Sequence, residues 1–126
     1  MIRLYVFGEG DTEEAVVNRV LVPHLSARNV FPFVRSLGGG GRWERWRFFM
    51  ERQMSQEHSA DVYFTTLFDL YRLPKDFPGA PAIRDNVDSR EHALRFEEAM
   101  RAELGHSRFV PYIQRHELEA LVLPCL

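Results

Sequence analysis

The sequence predicts an α/β fold, a three-layer sandwich around a mainly parallel four-stranded sheet, and three observations lead there. Four runs rich in β-branched and aromatic residues (IRLYVF, VFPFVRSL, ADVYFTTLFD and RFVPYIQ) alternate with stretches whose apolar residues recur at helical spacing. Strands alternating with helices favour a parallel sheet. The chain has 126 residues, 45% of them hydrophobic and 27% charged, the size of one domain with one core spanning 1–126. No internal repeat and no linker long enough to separate domains interrupts the alternation.

Residues 2–7 are apolar and end at Gly8, which reads as a buried strand. From Thr12 to about Arg28 apolar residues fall at 16, 17, 20, 21, 24 and 25, counting His24, and form a helical stripe. Pro23 lies inside that stripe and should kink the helix or start its last turn. Residues 30–37 make a second strand, and four glycines at 38–41 break the chain. RWERWRFFMERQM then places Trp43, Trp46, Met50 and Met54 on one helical stripe. Residues 60–69 form the third strand, the longest and most apolar. Residues 71–87 contain Pro74, Pro78, Gly79 and Pro81 without periodicity, a long loop of the kind that is usually functional or disordered. A helix over 89–104 has Ala93, Leu94, Phe96, Met100 and Leu104 available to its buried face. RFVPYIQ is the fourth strand, and HELEALVL begins a fourth helix that Pro124 cuts off.

The net charge of -2 excludes a generally basic nucleic-acid coat, yet the uneven spread of arginines leaves room for a local basic face. Cys125 is the sole cysteine, so no disulfide framework forms within the chain and a reducing cytoplasm is expected. Met1 leads straight into the first strand without a signal-peptide core. No apolar run approaches the roughly 18 residues that span a bilayer, so no membrane partner is expected.

The stretch YVFGEGDTEEAVVNRVL concentrates Glu9, Asp11, Glu13 and Glu14 where the first strand turns into a helix. Asp11 suits an N-cap, Glu14 three residues later completes a capping box, and Glu13 gains from the helix dipole. Capping leaves Glu9 unexplained. It ends the first strand, where an α/β sheet places its ligand, and beside Glu13 it is like-charge crowding that a cation would offset. Mg²⁺ fits, since it takes one or two protein carboxylates and fills its other positions with water and phosphate oxygens. In FTTLFDLY, Asp69 stands at the carboxyl end of the third strand, on the same edge as Glu9.

With Glu at the end of strand one in a hydrophobic-x-E-G-x-T-E setting and Asp at the end of a later strand, the chain resembles the Toprim domain, in the form found in OLD-type nucleases. More closely, EGDTEEAVVNRVLVPHL, TTLFDLYRLPKDFPG and FVPYIQRHELEAL resemble a bacterial Toprim-like family, domain-of-unknown-function family 4276. The resemblance covers about Tyr5 to Leu121 and implies a Toprim-like, Rossmann-like sandwich that binds Mg²⁺ (or Mn²⁺) and cuts phosphodiester bonds. It also implies an AAA-type ATPase as partner in a phage-defence setting. Glu9 matches the Toprim glutamate and Asp69 the first aspartate of its Asp-x-Asp pair. The second aspartate is replaced by Tyr71, a poor Mg²⁺ ligand at neutral pH, so another acid takes its place or metal binding is weak. Glu117 and Glu119 are the candidates, and Glu117 follows the fourth strand more closely.

Other constellations add contacts to phosphate. GGGGRWERWR sets a glycine-rich turn before a helix but lacks the Lys-Ser/Thr of a Walker A loop, so the glycines read as a flexible hinge. Arg42, Arg45, Arg47 and Arg52 interleave with the tryptophans and form a face that could touch a nucleic-acid backbone. Arg72 and Lys75 follow Asp69 and could stabilise charge on a cleaved phosphate. The five histidines show no zinc-type spacing.

The reading is a Mg²⁺-dependent nuclease acting on nucleic acid, DNA ahead of RNA. Glu9, Asp69, Glu13 and Glu117 are its metal set, Glu9, Asp69, Glu13 and Lys75 its catalytic set, and Arg42, Arg45, Arg72 and Lys75 its substrate contacts. Two alternatives from other classes stay open: a catalytically degenerate adaptor for an ATPase, which Tyr71 favours, and a flavodoxin-like nucleotide-binding regulator. The apolar end, residues 118–126, is expected to form a homodimer interface, because the resembling family usually continues past this block and a short helix needs cover.

Overall fold

The computed structural model describes residues 1–38, 41–79 and 88–115. Strand β1 (Ile2–Gly8) leads into helix α1 (Asp11–Val16), a π turn (Val17–Leu21) and helix α2 (Val22–Ser26). Strand β2 (Val30–Ser36), helix α3 (Trp43–Ser55), strands β3 (Val62–Thr66) and β4 (Phe68–Asp69) and a 3₁₀ turn (Leu70–Arg72) follow. Helix α4 (Ser89–Leu104) and strands β5 (Phe109–Val110) and β6 (Ile113–Gln114) complete the described chain. The main sheet has the order β2-β1-β3-β5 with every pair parallel, and β4 pairs in parallel with β6 beyond it.

Alternation along β1 divides the molecule into layers, because successive side chains of a strand point to opposite faces. Tyr5 and Phe7 join Trp43, Trp46, Met50 and Met54 of α3 and Ala93, Phe96 and Met100 of α4 in one core. Val6 joins Val16, Val17 and Leu67 on the opposite face, where Leu4, Val20, Leu21 and Val34 pack around them. The expected three-layer α/β sandwich is therefore present, with α1 and α2 on one face and α3 and α4 on the other. Among the described residues no helix is long and apolar enough to cross a membrane.

Several local expectations change. Pro23 starts the last helical turn, as expected, but the helix reaches it through a π turn, where Val22 N–H reaches Val17 O, and it ends at Ser26. A π turn takes in one extra residue per turn, which accommodates a proline that cannot donate to the ladder. The third strand is split at Leu67, whose N–H bonds Phe7 O at 2.8 Å. The fourth is split at Pro111, which has no N–H to give. Across this gap Thr66 Oγ1 donates to Tyr112 O at 2.8 Å and accepts from Tyr112 N at 3.0 Å, so two threonines (Thr65 Oγ1 also donates to Val110 O, 2.7 Å) replace the missing ladder bonds.

On α4, Leu94 is 52% exposed and does not join Ala93, Phe96 and Met100 in the core, because it lies off their stripe. Phe48 and Phe49 share the outer face of α3 with the arginines. Gly38 has φ +77°, a conformation that favours glycine, and a Cβ on Gly41 would lie 2.5 Å from Arg45 Nη2 and 2.6 Å from Trp46 Nε1. Glycine is thus required at both positions for close approach and turn geometry. The helix expected over HELEALVL, the tail interface over 118–126, Glu117, and residues 80–87 of the long loop lie outside the described residues.

Candidate metal and phosphate site

β3 runs parallel to β1 and leads into β4, and Asp69 at the end of β4 comes close enough to Glu9 to act on its charge. Glu9 lines a cleft of about 300 Å³ together with Gly10, Asp11, Thr12, Glu13 and Arg72. Its Oε1 is buried and has no hydrogen-bond partner among the described residues. Burial first, then the charge of Glu13, raise the Glu9 pKa above the ordinary glutamate value; Arg72 opposes this, and Asp69 adds to it. Glu9 therefore senses the charges of Glu13, Arg72 and Asp69.

The cap at the start of α1 sits one residue earlier than the sequence implies. Gly10 is the N-cap and Asp11 the first helical residue, so the third position is Glu13, whose Oε2 accepts the Gly10 N–H at 2.9 Å. Glu14, expected to complete the box, is exposed. Glu13 is 5% exposed and packs against Gly8, where a Cβ would lie 2.7 Å from both Glu13 Cβ and Cγ. The glycine that ends β1 makes room for the carboxylate.

Asp69 is 2% exposed, and its Oδ1 accepts the Tyr71 N–H at 3.0 Å, which starts the 3₁₀ turn and sets Arg72 on the cleft. Its register partner on β6 is Gln114, 6% exposed, a residue of the strand-end edge that the sequence did not single out because a lone glutamine carries no motif. Lys75 is exposed on the following loop and is not among the residues lining the cleft. Instead the loop turns inward: Asp76 Oδ1 accepts the Trp43 N–H at 2.9 Å and caps α3, and Phe77 is buried against Trp43, Phe68 and Phe96. Arg42 is the exposed N-cap of α3. Arg45 Nη2 donates to Leu37 O at 3.1 Å, on the loop that follows β2.

Among the described residues no three His, Cys, Asp or Glu side chains are grouped to hold a metal ion by themselves. Two carboxylates with water and phosphate oxygens are enough for Mg²⁺, and the Glu9 oxygen, without a partner among the described residues and amid like charges, is compatible with such an ion. No curated protein and no solved structure matches the chain. Residues 8–126 match the family described as domain of unknown function DUF4276, so the match takes in the acidic turn, the third strand and everything after it, and the chain belongs to that family.

Proposed function

We propose that the protein is a Mg²⁺-dependent phosphodiesterase of Toprim type acting on nucleic acid. The observation that carries this is the buried Glu9 Oε1, without a partner among the described residues, crowded by Glu13 and Asp69 in a cleft that Arg72 also lines. Glu9 and Asp69 would hold the ion, and Mg²⁺ there would activate water and neutralise charge on the phosphate. Arg72, which lines the same cleft, would pair with a phosphate oxygen, a charge-assisted contact of the stronger kind. Glu13 acts from beneath: its bond to Gly10 N–H fixes the turn that carries Glu9. Glu117 completes the proposed ligand set. The cytoplasm, DNA as substrate and an AAA-type ATPase partner belong to the same reading. Calorimetric titration with Mg²⁺ and Mn²⁺ tests it: wild type gives a saturable heat that Glu9→Gln loses, together with cleavage of a labelled oligonucleotide. Equal heats for both proteins would overturn the metal site.

A second reading, a binding module with a degenerate site, is favoured by a specific observation. Asp69 and Glu13 each already accept a backbone N–H, and Tyr71 stands where the second aspartate of a Toprim pair would be. Metal binding without cleavage of any nucleic acid would establish it.

A further inference from the structure

The strand-end edge has two poles. One is the acidic cleft of Glu9, whose carboxyl feels the charge of Asp69, the register partner of Gln114. A second cavity, of about 350 Å³, is walled by the start of α4 and by β6, with Arg90, Glu97, Tyr112, Gln114 and Arg115 in its lining. Arg115 Nε lies 3.3 Å from Ser89 Oγ, which ties the end of β6 to the first turn of α4. Two exposed aromatic side chains accompany these cavities. Tyr71 is 70% exposed on the 3₁₀ turn that Asp69 holds, one residue before Arg72, and Tyr112 is 44% exposed with its hydroxyl bonded to Gln114 Oε1 at 2.5 Å.

Each tyrosine is thus fixed from within the edge while its ring is turned outward, and each has an arginine close by in sequence. Unpaired bases stack on aromatic rings while their phosphates pair with arginines; a duplex hides those base faces and offers phosphates alone. Resting on the nucleic-acid reading above, we infer that this edge takes single-stranded nucleic acid, with bases on Tyr71 and Tyr112 and phosphates on Arg72, Arg115 and Arg90. Such a strand runs along the edge and passes a phosphodiester over the Glu9 cleft. The residue that departs from the metal-binding pattern, Tyr71, then has a positive role as a stacking platform.

Fluorescence anisotropy tests this on the full chain in EDTA, which keeps the strand intact and makes the result independent of hydrolysis. The probes are labelled single-stranded DNA, single-stranded RNA and a DNA duplex of one sequence. Either single strand binding about tenfold or more tighter than the duplex supports the inference, and the tighter of the two names the sugar. Tyr71→Ala weakens single-strand binding by about 5- to 100-fold and Tyr71→Phe restores it. Arg115→Gln leaves that preference but lowers the slope of log K against log salt by about 0.7. Equal affinity for duplex, an unchanged Tyr71→Ala, or a loss that Tyr71→Phe fails to restore overturns it. Single-strand binding without cleavage in Mg²⁺ overturns the nuclease reading alone, and cleavage without single-strand preference overturns this one alone.

Discussion

Glu9 and Asp69 carry the same sequence signal, a carboxylate after an apolar strand, yet their surroundings differ. Asp69 is satisfied by a backbone N–H, whereas Glu9 keeps a buried oxygen without a partner among the described residues. The raised pKa of Glu9, from burial first and Glu13 second, fixes the sign of a pH effect. As pH rises past the ordinary glutamate value, the unfolded chain ionises Glu9 while the folded chain resists, so metal-free stability falls through that window and stays lower above the raised value. Glu9→Gln removes the ionisation, so the metal-free variant melts above wild type at about pH 7.5 and the excess shrinks at about pH 4. A variant that melts lower at neutral pH would mean that Glu9 is held by a partner. Gly8→Ala acts from below: its Cβ would meet Glu13 at 2.7 Å, costing about 1–3 kcal/mol in urea titrations. The burial of Glu13 was not legible, because it depends on the absence of a side chain at Gly8 and on a cap displaced by one residue. Arg72 was legible from its place after Asp69; Lys75, three residues on, was not separable from it by sequence.

Helices and strands were readable where their determinants are local. The helix over 89–104 matches α4 to the residue, because Asp88 accepts Glu91 N–H at its start and Gly105, at φ +59°, ends it. The loop after Asp69 was not, because its contacts are distant. Asp76 caps a helix that begins 33 residues earlier, and Phe77 reaches between α3 and α4, 4.8 Å from the Trp43 ring centroid. No window of sequence contains both partners. Asp76→Ala should cost about 1 kcal/mol, with Asp76→Asn near wild type, since the amide oxygen can still accept the Trp43 N–H. Phe77→Ala should cost about 3–5 kcal/mol by urea unfolding, as large aromatic truncations in a core do. Costs near zero for Phe77→Ala would show that the loop is only laid on the surface. The breaks at Leu67 and Pro111 were hidden for a similar reason: Leu67 N–H finds Phe7 O on β1, and the Pro111 break is bridged by the threonine side chains of β3.

Across the whole molecule the two ends of the sheet's stability are separated. Most aromatic burial lies on the α3 and α4 face, where Arg47 of α3 pairs with Glu51 of its own helix at 2.9 Å and with Glu103 of α4 at 3.0 Å. The strand-end edge gathers like charge around a buried oxygen, a crowding that a bound cation should relieve. An ion that binds the folded chain and not the unfolded one stabilises it by mass action. At ten times its dissociation constant the gain is about 1.4 kcal/mol. For a chain of this size that corresponds to about 5 °C in melting temperature. Mg²⁺ should therefore raise the melting temperature by that order over NaCl of matched ionic strength. Glu9→Gln should lose the increment, and Asp69→Asn, which keeps an oxygen to accept the Tyr71 N–H, should lose most of it while the turn stays formed. Gln at 76 or at other exposed acidic positions should leave it unchanged. If Glu9→Gln keeps the full Mg²⁺ increment, the ion sits elsewhere and the crowding at the acidic turn is a structural cost carried without metal.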